Sequence, residues 1–309
     1  MTEKMRAIRQ EVLGGPEVLE VVEAERPEPG PTEVLVRVRA AGVNPTDWKH
    51  RARGGFLGKP PFTLGWDVSG VVEKAGVGVT LHKPGDEVFG MLRYPFGAGS
   101  HAEYVAAPSR TFVAKPSAID HVQAGALPLA ALTAWQALVD TADVREGHRV
   151  LIHAAAGGVG HLAVQIAKAR GAYVIGTASE GKHAFLRGIG VDEPVDYRGV
   201  DFADVVKDVD VVLDTIGGDY GPRSLRVLRP GGTLVSVVLS NLDDMDTSGV
   251  RSETLLVEPD HHALAQIAAL AEAGRLRAEI DSVFPLEEAA KAHERGETGR
   301  VTGKIVLTV

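Results

Sequence analysis

The segment from Arg149 to Ser179 constrains the fold most, because it reads as a strand, a glycine turn, a helix and a second strand. Val150–Ile152 is a short apolar run typical of a buried parallel strand. The turn that follows is formed by Gly157, Gly158, Val159 and Gly160. Glycines let the backbone turn sharply and approach a pyrophosphate, whose charge the N-terminus of the next helix stabilises. The segment therefore predicts a dinucleotide site.

The helix after the turn is predicted to be amphipathic. Its apolar residues recur at helical spacing, namely Val159, Leu162, Ala163, Ile166 and Ala167, and Gly171 marks its end. The first position of the usual G-x-G-x-x-G motif is Ala155, so the motif is a variant. The alternative is a glycine-rich turn that only packs tightly, but the flanking strand, helix and strand favour nucleotide binding.

The end of the second strand bears on the choice between NADP and NAD. NAD sites usually place Asp or Glu about 20 residues beyond the glycines, where it accepts from the ribose 2′-OH. Here the strand is predicted to end at Ser179, which leaves room for a 2′-phosphate, and Lys182 is a candidate counter-charge. NADP(H) is therefore preferred. Two alternatives stay open: a strand end two residues later, which would put Glu180 at this position, and a solvated Lys182 at a helix start.

Composition excludes several classes of protein. A chain of 309 residues with 44% hydrophobic content suggests about two soluble domains. A net charge of −8 argues against a general nucleic-acid or anionic-membrane binder. The chain has no cysteine, which excludes disulfides, thiolate zinc sites and cysteine nucleophiles. Because the N-terminus has no apolar signal core and no run is long enough to span a bilayer, a cytoplasmic location is expected.

The pattern of predicted secondary structure changes near residue 120. Before it, short β-rich runs such as Glu33–Ala40 and Val68–Glu73 are separated by Gly and Pro turns. After it, helices alternate with buried strands, including Val209–Leu213 and Gly231–Ser240. We expect a mostly-β domain at 1–124, a nucleotide domain at 125–260, and a return to the first domain at 261–309. Such a return would place a cleft between two lobes.

Several motifs carry a resemblance to a known family: AAGVNPTDWKHR (40–51), LGWDVSGVVEKAGVGV (64–79), PGDEVFG (84–90), LPLAALTAWQAL (127–138) and RVLRPGGTLV (226–235). Together with the glycine turn, and in this order, they resemble the zinc-independent quinone oxidoreductase branch of the medium-chain dehydrogenase/reductase superfamily. The enone and alkenal reductase subgroup is the most similar. The resemblance covers essentially the whole chain and implies an α/β fold, with a GroES-like mostly-β catalytic domain and a Rossmann domain built on a doubly wound parallel sheet.

The resemblance also bears on metal. Zinc-dependent relatives carry a cysteine where this chain has Asn44, and a histidine-glutamate pair where it has Trp66 and Asp67. Since Asn44 and Trp66 are not the expected ligands, no metal is expected, and no spaced histidine set suggests one elsewhere. The expected chemistry is hydride transfer from NADPH to an acceptor that is already electron-poor, such as a quinone or the β-carbon of an enone.

The resemblance implies roles for single residues. It places Asn44 and Thr133 near the nicotinamide, and puts Ser179, Lys182 and Tyr197 around the adenosine phosphate. The alternatives are an Asx-turn residue at Asn44, a capping or back-bonding threonine at Thr133 and a plain surface tyrosine at Tyr197.

Lys49 and Asn44 are the candidate catalytic residues, because the Lys49 ammonium suits donation to the acceptor oxygen. Lys49, Trp66 and Tyr94 are the candidate substrate pocket, with Phe96 as a further wall. A merely exposed lysine is the alternative for Lys49.

Two classes of function fit these features: an NADPH-dependent reductase of quinones or enones, and a non-catalytic NADPH-binding sensor or structural protein on the same fold. A small-molecule substrate is the expected partner. Relatives commonly form homodimers through the last strands of their nucleotide lobes, and Leu234–Ser240 is predicted to be such an edge here.

Overall fold

A computed structural model describes residues 3–239, 242 and 245–309. These residues divide into two compact units. The first contains the chain up to Leu132 together with Glu258–Val309, and the second is Thr133–Val257. The boundaries expected from the sequence, after residues 124 and 260, lie eight residues before and three residues after these.

The first stretch of the chain is mostly β-structure. Its strands are β1 (Lys4–Gln10), β2 (Glu20–Glu25), β3 (Glu33–Val43), β4 (Phe62–Thr63), β5 (Asp67–Ala75), β6 (Glu87–Met91), β7 (Tyr104–Pro108) and β8 (Phe112–Ala114). Its helices are α1 (Pro45–Arg53), α2 (His121–Ala126) and α3 (Pro128–Trp135). The two strands predicted in this stretch correspond to β3 and β5, which extend further along the chain at their ends.

The middle stretch alternates strands with helices. Its strands are β9 (Arg149–Ile152), β10 (Tyr173–Ala178), β11 (Glu193–Asp196), β12 (Val209–Asp214), β13 (Leu228–Ser236) and β14 (Arg251–Thr254). Its helices are α4 (Gly160–Ala169), α5 (His183–Gly188), α6 (Phe202–Val205) and α7 (Tyr220–Leu225). The strands form one parallel sheet in the order β11-β10-β9-β12-β13-β14. This is the strand order of a doubly wound Rossmann sheet, as predicted.

The last stretch completes the first unit. It contains α8 (His261–Glu272), β15 (Ile280–Pro285), α9 (Ala289–Glu297) and β16 (Lys304–Thr308). β16 pairs antiparallel with β3, with Ile305 opposite Val43. The chain therefore ends in a seven-stranded sheet with the order β15-β16-β3-β5-β6-β8, in which β7 also pairs with β3, and a smaller sheet contains β2, β1 and β4.

The parallel sheet is held by an apolar core. Leu151, Ile175, Val212 and Leu234, one from each of the four central strands, are fully buried and cluster with Phe202 of α6. Continuous apolar runs in these strands follow from a sheet that is covered on both faces. Among the described helices, none is long and apolar enough to cross a membrane.

The prediction that residues 234–240 form an open sheet edge is wrong. β13 ends at Ser236 and lies between β12 and β14, so both of its sides are hydrogen-bonded. The outer strand at this end of the described sheet is the short, polar β14. Ser240, the last residue of the predicted edge, lies outside the described residues.

Candidate active site

The glycine turn between β9 and α4 is crowded by its own backbone. A Cβ atom on Gly160 would overlap the carbonyl oxygen of Ala154 and lie 2.8 Å from the Cα of Ala155. A Cβ on Gly157 would lie 3.1 Å from the same carbonyl oxygen. The residue with a left-handed backbone is Ala154, with φ of 48°, and not a glycine. The turn thus needs glycine for space, and a close backbone approach of this kind suits a pyrophosphate cradle.

The carboxyl ends of β9, β10 and β11 meet at one edge of the sheet. Gly176 pairs with Ile152, and Ala178 pairs with Asp196, in parallel register. Ser179 and Tyr197 are therefore the first residues beyond two neighbouring strands, on the same edge as the glycine turn. In open α/β sheets, this edge is where ligands bind.

β10, the strand whose end bears on the choice between NADP and NAD, ends at Ala178. Ser179 directly follows it, and Glu180 lies one residue further on. Glu180 is exposed and opens a single 3₁₀ turn that ends with Lys182. The Lys182 amide donates to the carbonyl oxygen of Ser179 at 2.9 Å, and the lysine is half-buried. Tyr197 is 41% exposed, and its hydroxyl accepts from the Arg198 guanidinium at 3.3 Å.

Two further polar residues of the second unit are buried. Thr133 lies within α3 and is 5% exposed. His153 follows β9, and its ring lies 3.2 Å from the hydroxyl of Thr177 and 2.9 Å from that of Ser224. Burial, and next the nearby Arg223 charge, lower the pKa of His153 to about 3, so the ring is neutral. A neutral imidazole both donates and accepts, and the Thr177 contact ties the ends of β9 and β10 together.

In the first unit, Asn44 lies in a buried polar network at the junction of β3 and α1. Its Nδ2 donates to Asp67 Oδ2 at 2.8 Å, and its Oδ1 accepts from Lys304 Nζ. Lys304 also lies 3.4 Å from Asp67 Oδ2, and the other oxygen of Asp67 accepts from the backbone N–H of Leu129 at 2.6 Å. Asp67 and Lys304 are at most 3% exposed and form a buried ion pair, and the Asn44 amide is hydrogen-bonded to both of them.

Asp47 is a second buried carboxyl beside this network. Its oxygens accept from the backbone N–H groups of Asn44, at 2.7 Å, and of Gly65, at 3.0 Å. Burial, partly offset by the Asn44 hydrogen bond, raises the pKa of Asp47 to about 7. Asp47 thus caps the start of α1 and fixes the backbone of Asn44.

An aromatic row runs from the core of the first unit to its surface. Its members are Trp66, His50, Phe56 and Phe96, with successive ring centroids 5.2, 6.0 and 5.9 Å apart. Tyr94 packs on the edge of Trp66 at 5.3 Å, and its hydroxyl lies 3.3 Å from that of Thr46. Burial raises the pKa of Tyr94, so its hydroxyl remains protonated near neutral pH. Phe56 and Phe96 are 42% and 71% exposed, which leaves one end of the row open to solvent.

The predicted pocket residues have different environments. Trp66 is fully buried, whereas Tyr94 is half-buried and Lys49 is exposed on α1. The structure brings Trp66 and Tyr94 into contact.

Four residues of these clusters were not predicted from the sequence, namely Lys304, Asp47, Thr46 and Phe56. A lysine that opens the apolar strand KIVLT was the available signal, because a charge in a buried register needs a counter-charge.

Comparison with known proteins covers both units. The sequence profile of the alcohol dehydrogenase GroES-like domain matches residues 30–117, and that of the zinc-binding dehydrogenase family matches residues 189–307. The pig quinone oxidoreductase is 36% identical, over 96% of this chain and 97% of its own length. Two solved structures are also similar. The quinone oxidoreductase of Coxiella burnetii has a TM-score of 0.94 at 39% identity, covering 99% of this chain and 100% of that one. The Escherichia coli quinone oxidoreductase complexed with NADPH has a TM-score of 0.89 at 29% identity, covering 98% and 100%.

Although one matching profile is named for zinc, the residues here do not fit a zinc site. Trp66 offers only an N–H donor, and both ends of the Asn44 amide are engaged by Asp67 and Lys304. An ammonium beside Asp67 would repel a second cation. Within residues 3–239, 242 and 245–309, no three His, Cys, Asp or Glu side chains are grouped so as to hold a metal.

The fold and this donor set define an oxidoreductase with a GroES-like domain and a Rossmann domain. The chain belongs to the zinc-independent quinone oxidoreductase branch of the medium-chain dehydrogenase/reductase superfamily.

Proposed function

We propose that the protein is an NADPH-dependent reductase that acts, without metal, on a quinone or on the C=C bond of an α,β-unsaturated carbonyl. The observation that carries the proposal is the Asn44–Asp67–Lys304 network. Where zinc-dependent relatives would hold a Lewis-acidic metal, this chain has hydrogen-bonded Asn44 and the ammonium of Lys304. The acceptor must then be electron-poor by itself, as quinones and enones are.

The second unit supplies groups for the dinucleotide. The crowded turn at Gly157, Gly158, Val159 and Gly160 would hold the pyrophosphate on backbone N–H groups at the start of α4. Ser179, Lys182 and Tyr197 would surround the adenosine phosphate, and their shared sheet edge supports this assignment. Asn44 and Thr133 would contact the nicotinamide. When bound, NADPH would supply the hydride.

The first unit supplies groups for the acceptor. The open end of the aromatic row, Phe56 and Phe96, suits a planar conjugated ring. The neutral Tyr94 hydroxyl and the exposed Lys49 ammonium are hydrogen-bond donors that would stabilise negative charge on the reduced acceptor's oxygen. Lys49 is also the proposed proton donor, since its ammonium is open to exchange with water.

An assay of purified protein tests this proposal. NADPH and NADH are each offered with a panel of quinones and enones, and nucleotide oxidation is followed by absorbance. We expect oxidation that prefers NADPH and that survives treatment with a metal chelator. Tight NADPH binding without oxidation of any acceptor would instead favour the non-catalytic binding protein.

We also propose a homodimer. At this end of the described sheet β14 has one unpaired side, to which a second copy of the chain would add a strand. Light scattering in solution measures the mass directly, and a monomeric mass of 32.6 kDa would contradict the proposal.

A further inference from the structure

The register of two strands brings Lys304 to Asn44. β16 pairs antiparallel with β3, and Ile305 lies opposite Val43. Lys304 directly precedes Ile305 and Asn44 directly follows Val43, so this register brings the two residues together, and their side chains are hydrogen-bonded. Lys304 is 3% exposed, so its ammonium has little access to water and depends on these protein partners.

The chemistry of the two partners fixes which way the Asn44 amide points. An ammonium can only donate hydrogen bonds, so the atom that faces Lys304 must be the amide oxygen. An ionised carboxylate can only accept, so the atom that faces Asp67 must be the amide nitrogen. An amide flip would break both contacts and place like partners together.

Asp67 is itself held rigidly. Its second oxygen accepts from the Leu129 N–H at 2.6 Å, and its side chain packs against Gly42 so closely that a Cβ there would overlap it. The carboxylate therefore cannot follow a displaced amide. The fixed carboxylate and the buried ammonium together hold Asn44 in one orientation, with one of its two amide N–H bonds used by Asp67.

We propose that Lys304 is a positioning residue, which acts through Asn44 by fixing the amide so that its remaining N–H is presented to the nicotinamide. The inference rests on the proposed role of Asn44 in NADPH binding. It goes beyond that role because it assigns a function to Lys304, which contacts Asn44 across 260 residues of sequence.

A double-mutant cycle tests this coupling. The variants are Lys304→Met, Asn44→Ala and the double variant, with Lys291→Met, an exposed lysine of α9, as the matched control. NADPH dissociation constants are measured by fluorescence, and kcat and KM are measured with a quinone. We expect Lys304→Met to weaken NADPH binding roughly tenfold to a hundredfold, the scale of a hydrogen bond to a charged group. In the Asn44→Ala background, Lys304→Met should weaken NADPH binding by less than about threefold, because the amide through which Lys304 acts has been removed. Equal losses in both backgrounds would overturn the proposal.

A second variant separates positioning from stability. Lys304→Met leaves Asp67 as an unpaired buried charge and will lower stability, so Asp67→Asn is added to remove that charge. We expect Asp67→Asn/Lys304→Met to regain stability in urea unfolding but not NADPH affinity. The Leu129 N–H still requires an acceptor, so the new side-chain amide turns its own N–H groups toward Asn44 and favours the flipped Asn44 amide. Recovery of affinity together with stability would show a purely structural role. Lys304→Arg, which still donates, should keep more affinity than Lys304→Met.

Failure of the proposed function gives a different result. If the wild-type protein binds NADPH but reduces no acceptor, the cycle is still read from dissociation constants. If the protein is an active reductase and Asn44→Ala changes neither affinity nor turnover, the positioning role is wrong while the function stands.

Discussion

Replacing Gly160 by alanine probes the nucleotide turn most sharply. The new Cβ would overlap the Ala154 carbonyl oxygen and lie 2.8 Å from the Ala155 Cα, where carbon atoms normally keep about 3.5–4.0 Å. All of the clashing atoms are backbone, held between β9 and α4, so no side chain can move away. Overpacking of this kind costs about 1–3 kcal/mol. We expect a loss of about 2 kcal/mol in unfolding free energy and an NADPH dissociation constant raised at least about tenfold.

Urea unfolding followed by circular dichroism and NADPH binding followed by fluorescence measure the two effects. Gly157→Ala, whose Cβ would lie 3.1 Å from the same oxygen, should have a smaller effect on both. Gly188→Ala at the end of α5 is the control, because its Cβ meets nothing within 4 Å. It should leave NADPH affinity unchanged and be neutral or stabilising by up to about 1 kcal/mol. Wild-type stability and affinity in Gly160→Ala would refute the steric reasoning.

Lys182, Tyr94 and His101 can each be tested by a single substitution. Lys182→Ala should weaken NADPH binding by about 1.5–3 kcal/mol and NADH binding much less, and equal losses would remove Lys182 from the phosphate site. Tyr94→Phe should lower kcat with a quinone several-fold while NADPH affinity stays constant, since only a hydroxyl near the acceptor is lost; an unchanged kcat counts against that role. Burial lowers the pKa of His101 to about 4, so the stability it contributes is complete above about pH 6.5 and is lost as pH falls through about 4. The urea midpoint of unfolding should therefore fall as the pH is lowered from about 6.5 to about 4. This fall should be smaller in His101→Asn. His262 is exposed, and His262→Asn should show the same fall as the wild-type protein.

Much of the fold is visible in local pattern. The apolar runs that form β9 and β12 are continuous because both faces of the parallel sheet are covered. Such a run is recognised from the local sequence alone, without knowing which strands pair with it. β14 was not predicted, because it has no apolar run. Its four residues, Arg251–Thr254, are polar and half-buried or exposed, and only pairing with β13 makes them a strand. The wrong edge follows from that omission.

The candidate site divides in the same way. Asn44 and the glycine turn lie in short motifs, and their neighbours in sequence suffice to select them. Lys304 is brought to Asn44 only by the pairing of β16 with β3, and Asp67 enters from a third strand. No spacing rule along the chain predicts a contact across 260 residues. The crowding at Gly160 also depends on the turn, because Ala154 adopts the left-handed conformation that brings its carbonyl oxygen close.

The most direct test of metal-independent hydride transfer is the stoichiometry of reduction by chelator-treated protein under anaerobic conditions. NADPH consumed and acceptor reduced are measured together for a quinone and for an enone. We predict that one NADPH is oxidised per two-electron reduction of at least one of these acceptors, at a rate that added zinc does not raise. A rate that depends on added zinc, or NADPH that binds and is never oxidised, would contradict it.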